Sequence, residues 1–469
     1  MQRHNTEGPG LEVTNPATGH LLTTVRAFHP EEIEPMIAAA QDALPGWSGR
    51  TAKDRARILR AWHDLILENR AALAAIVTAE SGKPLGESDG EVAYAAAFVE
   101  WFAEEGKRAY GETIPTFAAG KRVLTLREPV GVCAAITPWN FPLAMITRKA
   151  APALAAGCTM LVKPAEATPL SALALADLAY QAGVPAAVLQ IVPATDPAGV
   201  GRVFCQSPGI RKISFTGSTA VGKLLMAQSA STVKRVSMEL GGNAPFIVFD
   251  DADIEQAVAG LLASKFRNAG QTCVCANRVL VQSRVHDSFL ARLRERVASL
   301  QVGNGAEPGV AIGPLINGMA VAKVEKLVVG ATASGAKVEL GGGRHPAGPN
   351  FYAPTILTGV TADMEIAVSE IFGPVVPVIR FEAEEEAIRI ANATPYGLAA
   401  YFYARDIGRV WRVLGGLEFG MVAINEGALS TEVAPFGGVK ESGVGREGAR
   451  QGLDEYLEIK YVLMGGLSA

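Results

Sequence analysis

The chain has 469 residues, 49% of them apolar and 19% charged, with a net charge of −4. That length is too great for one ordinary core and predicts two or three globular domains. No basic block offers a footprint for nucleic acid, the N-terminus lacks the apolar core of a signal peptide, and the longest apolar stretch, 131–146, is broken by Pro138, Asn140 and Pro142, so no bilayer span and no membrane partner are expected.

Residues 1–30 read as a polar lead-in with a short strand pair around 21–25. Thr51-Ala-Lys-Asp54 forms an N-cap signal ahead of one long amphipathic helix whose apolar positions, Ile58, Trp62, Leu65, Ile66, Leu73, Ile76 and Val77, recur at helical spacing. Gly82-Lys-Pro84 ends it, and a second helix follows to about Tyr110. Segments 113–116 and 121–128 alternate as strands, which predicts a hairpin arm outside the core.

From Val130 the rhythm changes. Short apolar strands at 130–136, 159–162, 188–192, 212–215 and 233–238 alternate with helices at 143–156, 168–182, 197–205 and 219–229. This spacing predicts parallel crossovers and a doubly wound α/β sheet, which binds ligands at the carboxyl ends of its strands. A second α/β set runs from Phe246 to about Val433, with a helix over 254–268 and strands near 279–282, 337–340, 375–380, 399–403 and 421–424. A glycine-rich loop (437–445) and one more strand (456–462), free to pair with a neighbour, close the chain.

Cys273, in Gly-Gln-Thr-Cys, falls on a helix-to-strand junction, where a thiol is exposed beside its own backbone N–H. Thiolate is the reactive form, so a catalytic Cys273 needs a neighbour to activate it; otherwise it packs as a small hydrophobe. The six histidines are dispersed and make poor candidates for that base. Glu239, ending a strand among apolar residues and glycines in Met-Glu-Leu-Gly-Gly, is either a turn cap or a carboxyl lifted by desolvation into the range of a general base. Asn140, between two prolines, is either a turn residue or a donor to a developing oxyanion.

Phe215-Thr-Gly217-Ser218-Thr-Ala-Val-Gly222-Lys223 follows a strand and opens a helix, as an anion site would. It nearly matches a Walker P-loop, but Leu224 lacks the hydroxyl that would ligate magnesium, and GxGxxG is absent. Lys163 and Glu166, closing an earlier strand, suit the hydroxyls of an adenosine ribose or form a surface pair. Five scattered cysteines argue for a reduced cytoplasm and against a disulfide framework. Cys275 has no second pair or histidine cluster beside it, so no metal is expected.

Together, Pro-Trp139-Asn140-Phe-Pro, Lys163-Pro-Ala-Glu166, Phe-Thr-Gly217-Ser218, Met-Glu239-Leu240-Gly-Gly, Gly-Gln-Thr-Cys273 and Glu370-Ile-Phe372-Gly-Pro resemble the aldehyde dehydrogenase superfamily, in order and over essentially the whole chain. The resemblance implies a Rossmann-type dinucleotide-binding domain (1–111 and 132–240), a catalytic domain (241–435) and an oligomerisation arm and tail (112–131 and 436–469), assembled as a homodimer or homotetramer. It implies Cys273 as nucleophile, Glu239 as base and Asn140 as oxyanion donor. The cofactor would be held by Ile136, Thr137, Pro138, Trp139, Lys163, Glu166, Gly217, Ser218, Gly222, Leu240, Glu370 and Phe372. Relatives preferring NADP often carry Ser at the Glu166 position, so NAD is expected here, with NADP possible.

Met145-Ile-Thr-Arg148, Phe-Arg267-Asn and Asn-Glu-Gly-Ala-Leu-Ser430 resemble the succinate-semialdehyde dehydrogenase branch, implying that Arg148, Arg267 and Ser430 hold a distal carboxylate. Glutarate semialdehyde or a sulfonated aldehyde is the alternative substrate; a non-catalytic scaffold is disfavoured by the intact Cys, Glu and Asn. The Cys273-Val-Cys275 pair resembles the redox-sensitive pair of some members.

Overall fold

The structure, a computed structural model, describes residues 10–467. The first part of the polar lead-in, and with it the reading of the N-terminus as lacking a signal peptide, falls outside those residues. The lead-in strands are Gly10–Thr14 and Leu21–Arg26, paired antiparallel. A helix over Ile33–Ser48 follows; its prolines, Pro35 and Pro45, mask it in the sequence. The single long helix expected after Thr51 is two, Ala52–Glu68 and Arg70–Ser81. Asn69 breaks it: its side-chain amide donates to the Leu65 carbonyl at 2.8 Å and ends the first helix. Gly82, at φ 77°, ends the second, and Leu85–Glu105 forms the next helix.

Five parallel strands make the first sheet, in the spatial order Leu189–Ile191, Thr159–Lys163, Val132–Ile136, Lys212–Thr216, Arg235–Glu239, with Gly443–Val444 added antiparallel at the edge. The order reverses beside Val132–Ile136, which opens a crevice at the strands' carboxyl ends. One face is covered by Ala52–Glu68, Leu85–Glu105, Ala144–Ala156 and Pro169–Gln181. Residues of Ile33–Ser48, Pro197–Gln206 and Thr219–Ser229 cover the other. The doubly wound α/β sheet expected from the strand–helix rhythm is what forms.

The second sheet has seven strands, ordered Lys337–Leu340, Thr355–Thr358, Val375–Phe381, Ala276–Gln282, Ala244–Val248, Ala399–Tyr403, Met421–Ile424; the first is antiparallel and the rest parallel. Its near-continuous apolar strands are buried on both faces. The expected hairpin forms from Thr113–Ile114 and Arg122–Pro129, and the tail strand Leu457–Met464 pairs along all eight residues of the latter.

Trp62 ties the first layer together: it is fully buried, and its indole N–H donates to the Leu175 carbonyl on the facing helix at 3.0 Å. Trp62→Ala should cost about 3–5 kcal/mol and lower the urea midpoint accordingly, whereas Trp62→Phe should lose well under half of that. Equal midpoints for wild type and Trp62→Ala would show that this contact does not hold the layer.

Candidate active site

Strand Arg235–Glu239 ends the first sheet and Ala244–Val248 begins the second, so only Leu240-Gly-Gly-Asn243 joins them. Ala244 pairs with Ala276, and counting back from that register brings Gly242 level with Val274, next to Cys273. The approach is so close that a Cβ at residue 242 would overlap the Cys273 carbonyl oxygen. Glu370 accepts from the Gly242 N–H at 3.1 Å, and a Cβ on Gly241 would lie 3.2 Å from its other oxygen. Asn277 pins that segment by accepting from the Ile371 N–H at 2.9 Å.

The Cys273 loop is bent by three successive residues at positive φ, Asn268 (52°), Ala269 (54°) and Gly270 (77°), so the helix expected to Asn268 stops at Lys265. Two of these are not glycine, and such backbone persists only where surroundings over-determine it. Here they do. The Asn268 N–H donates to Glu87 at 2.7 Å, and its side-chain amide donates to the Asn140 carbonyl at 3.1 Å. Gln271 accepts from the Ile316 N–H at 2.9 Å, while its own carbonyl accepts from the Asn140 Nδ2 at 3.0 Å. Asn140 and the Cys273 loop, 131 residues apart, therefore meet. The backbone of Asn140 is held from beneath by buried Lys83, which donates to its carbonyl at 2.9 Å and pairs with Glu91. Glu91 in turn accepts from the Leu143 N–H at 2.9 Å, capping the helix Ala144–Ala156.

Cys273 is half-buried, and burial pushes its thiol up to about 12; Arg148 opposes the rise, and Glu370, Glu239 and Cys275 add to it. Glu239 is buried with neither carboxyl oxygen hydrogen-bonded. Desolvation, then Glu447, holds its pKa well above the ordinary value, against Arg148, Lys149 and Arg446. Gly437, at φ 156°, passes over this carboxyl, where a Cβ would lie 2.9 Å from Oε1. Cys275 is buried and donates to the Gly270 carbonyl at 3.2 Å, with Lys265 3.9 Å away; a link to Cys273 would require leaving both.

Arg148, buried on its helix, stacks at 4.0 Å over Phe436 and at 5.5 Å over Phe98. Glu447 lies 2.9 Å from Nη2 but out of line, so Nε and Nη2 make no hydrogen bond. Lys149 takes up Glu447 and donates to Thr216 at 2.6 Å. Arg267 lies 5.1 Å over Phe141, with the Glu87 carboxylate within its electrostatic reach. Ser430 is half-buried on a loop whose Gly427 lies against the backbone of Gly260, with no room for a Cβ.

At the carboxyl ends of the first sheet, Ile136 ends its strand, Thr137 donates to the Lys163 carbonyl at 3.1 Å, and Trp139 meets Phe372 edge-on at 5.7 Å. Lys163 pairs with Glu166. Ser218 caps the helix Thr219–Ser229, Gly217 leaves no room for a Cβ against Phe215, and Gly222 none against Leu240. Lys223, which a P-loop would aim at phosphate, instead pairs with Glu441 at 2.7 Å. Among the described residues no cluster of three metal-ligating side chains occurs, and no helix is long and apolar enough to cross a membrane.

The model of the Aldehyde dehydrogenase family matches residues 3–462. This chain belongs to that family. The NADP(+) succinate-semialdehyde dehydrogenase GabD of Escherichia coli (strain K12) is 57% identical over 98% of this chain and 95% of its own length. The glutarate-semialdehyde dehydrogenase of Pseudomonas aeruginosa is 55% identical over 98% of this chain and 95% of its own. The crystal structure of succinate-semialdehyde dehydrogenase from Burkholderia pseudomallei superposes with a TM-score of 0.96 at 58% identity, over 97% of this chain and 95% of that one. The aldehyde dehydrogenase fold expected from the six motifs is thereby shown.

Sequence reading of this aldehyde dehydrogenase missed Lys83, Glu87, Glu91 and Gln271, which brace Asn140 and the Cys273 loop, and Lys149 and Glu447, which surround Glu239. A signal existed for two of them: Glu87 and Glu91 stand four apart on a largely apolar helix, where buried acids need partners. Gly242→Ala should lower kcat/KM by about 10²-fold or more by displacing the Cys273 backbone, with a folded circular dichroism spectrum. Wild-type kcat/KM in that variant would show that the close approach is not needed.

Proposed function

We propose that this aldehyde dehydrogenase oxidises succinate semialdehyde to succinate with NAD or NADP, using Cys273, Glu239 and Asn140 for the chemistry. The observation that carries the substrate is a pair of guanidinium groups with spare donors: Arg148 Nε and Nη2 are buried and make no hydrogen bond, Glu447 lying out of line, and the half-buried Arg267 stacks on Phe141 with Glu87 only within electrostatic reach. Unpaired buried donors of this kind are costly unless an anion fills the site. Glutarate semialdehyde and a sulfonated aldehyde present the same kind of anion, and the similarity to the Pseudomonas aeruginosa protein favours the first of these as the second reading.

The residues at the strand ends fit a dinucleotide. The crevice at the order reversal, the glycines with no room for a Cβ, and the capped N-terminus of Thr219–Ser229 accept a pyrophosphate. Lys163 and Glu166 would bind the adenosine ribose, the Glu166 charge favouring NAD; Glu370 would bind the nicotinamide ribose, with Trp139 and Phe372 beside it. NAD(P), when bound, supplies the hydride acceptor that raises the thiohemiacetal carbon to the thioester level.

The resting thiol of Cys273 is protonated, so its proton must pass to solvent as sulfur attacks the aldehyde carbon, with Glu239 kept for the second half. The oxyanion accepts from the second N–H of the Asn140 amide and from the Cys273 N–H, which donates to no described residue. In the second half, Glu239 takes a proton from water; the water oxygen adds to the thioester, the C–S bond breaks, and the carboxylic acid departs. The five cysteines are all free, which supports a reducing compartment such as the cytoplasm. Exposed apolar side chains on the arm, Leu126, Ile459, Tyr461 and Leu463, support assembly into a homodimer or homotetramer.

Cys273→Ala should abolish turnover, whereas Glu239→Gln should retain a burst of NADH and lose steady-state rate by about 10²-fold or more. Cys273 and Glu239 both act deprotonated and both titrate above their ordinary values, so kcat/KM should rise with pH across 6–9. A steady-state rate equal to wild type in Glu239→Gln, or a fall in kcat/KM above pH 7, would overturn these roles. Arg267→Ala should raise KM for succinate semialdehyde by about 10–100-fold and leave an uncharged aldehyde nearly unaffected. Equal losses on both would remove the anion pocket.

A further inference from the structure

The helix Leu85–Glu105 sends four side chains from one face into the site: Glu87, Glu91, Tyr94 and Phe98, at i, i+4, i+7 and i+11. Glu87 and Glu91 are consumed by backbone N–H groups. Phe98 is a platform, meeting the Tyr94 ring edge-on at 4.9 Å and lying beneath the Arg148 guanidinium at 5.5 Å. Tyr94 is what remains. Its hydroxyl is buried, has no partner of good hydrogen-bond geometry, faces Ser430, and lies within the electrostatic reach of both Arg148 and Arg267.

We infer that Tyr94 sets substrate specificity by donating its phenolic hydrogen bond to the distal anionic group of the aldehyde. The inference rests on the anion pocket proposed above and deepens it. The Tyr94 hydroxyl and the Arg148 donors are orphaned around one place and supported on one ring, so a single acceptor with two or three oxygens satisfies them together. Burial raises the phenol's pKa, so it remains a donor throughout the working range. An uncharged aldehyde offers the same hydroxyl no acceptor, so the gain belongs to the anionic substrate alone.

Tyr94→Phe keeps the ring and its contact with Phe98 and removes only the oxygen. Steady-state kinetics with succinate semialdehyde and with butanal are compared for wild type, Tyr94→Phe and Arg267→Ala, together with thermal unfolding of the unliganded proteins. The expected result is about a tenfold loss of kcat/KM for succinate semialdehyde in Tyr94→Phe (about 1.4 kcal/mol), carried by KM, with butanal changed less than about twofold and Tm not lowered. A selective loss in Arg267→Ala but not in Tyr94→Phe overturns the inference and leaves the pocket standing. Equal losses on both aldehydes, or a lowered Tm, in Tyr94→Phe assign the hydroxyl a structural role and also overturn it. No selectivity in either variant removes the pocket and the inference together.

Discussion

Four residues, Leu240 to Asn243, connect the last parallel strand of one sheet to the first strand of the next. A joint so short carries no slack. Because Ala244 is in register with Ala276, strand pairing sets the joint beside the Cys273 loop, with Glu239 within electrostatic reach of the sulfur. The glycines of the joint follow from this constraint: Gly242 lies against the backbone of Cys273, and Gly241 lies against Glu370. Backbone geometry sets where Glu239 and Cys273 sit, and the surrounding side chains then tune their charge.

That tuning is electrostatic. Burial disfavours the charged forms of both Glu239 and Cys273 and raises the pKa of each. Arg148 pulls both the other way, and Glu447 divides its charge between Lys149 and Arg148 while raising Glu239. A thiol held protonated in this way is protected from adventitious reaction, since thiolate is the reactive form. The helix Leu85–Glu105 underlies the arrangement, with two acids clamping the segments that carry Asn140 and Cys273.

The six motifs were legible because their chemistry is local: a cysteine after Gly-Gln-Thr, a glutamate before two glycines, an asparagine between prolines. The alternation of strands and helices likewise exposed the doubly wound sheet, since a period of two changing to 3.6 needs only neighbours along the chain. What supports these residues was not legible. Glu87, Glu91 and Lys83 matter through contacts made with residues roughly 50 to 180 positions away, and nothing local marks such partners. Two prolines hid the helix Ile33–Ser48, and a single side-chain bond from Asn69 divided a helix whose apolar spacing runs on unbroken.

The loop that carries Ser430 sits backbone to backbone on the helix Ile254–Lys265, through Gly427 and Gly260, and Tyr403 also crowds Gly260. A main chain seated so directly cannot retreat to make space or advance to close it. Any change in the room beside Ser430 would therefore have to come from exchanging side chains, because the two main chains leave no gap between them to widen or to close.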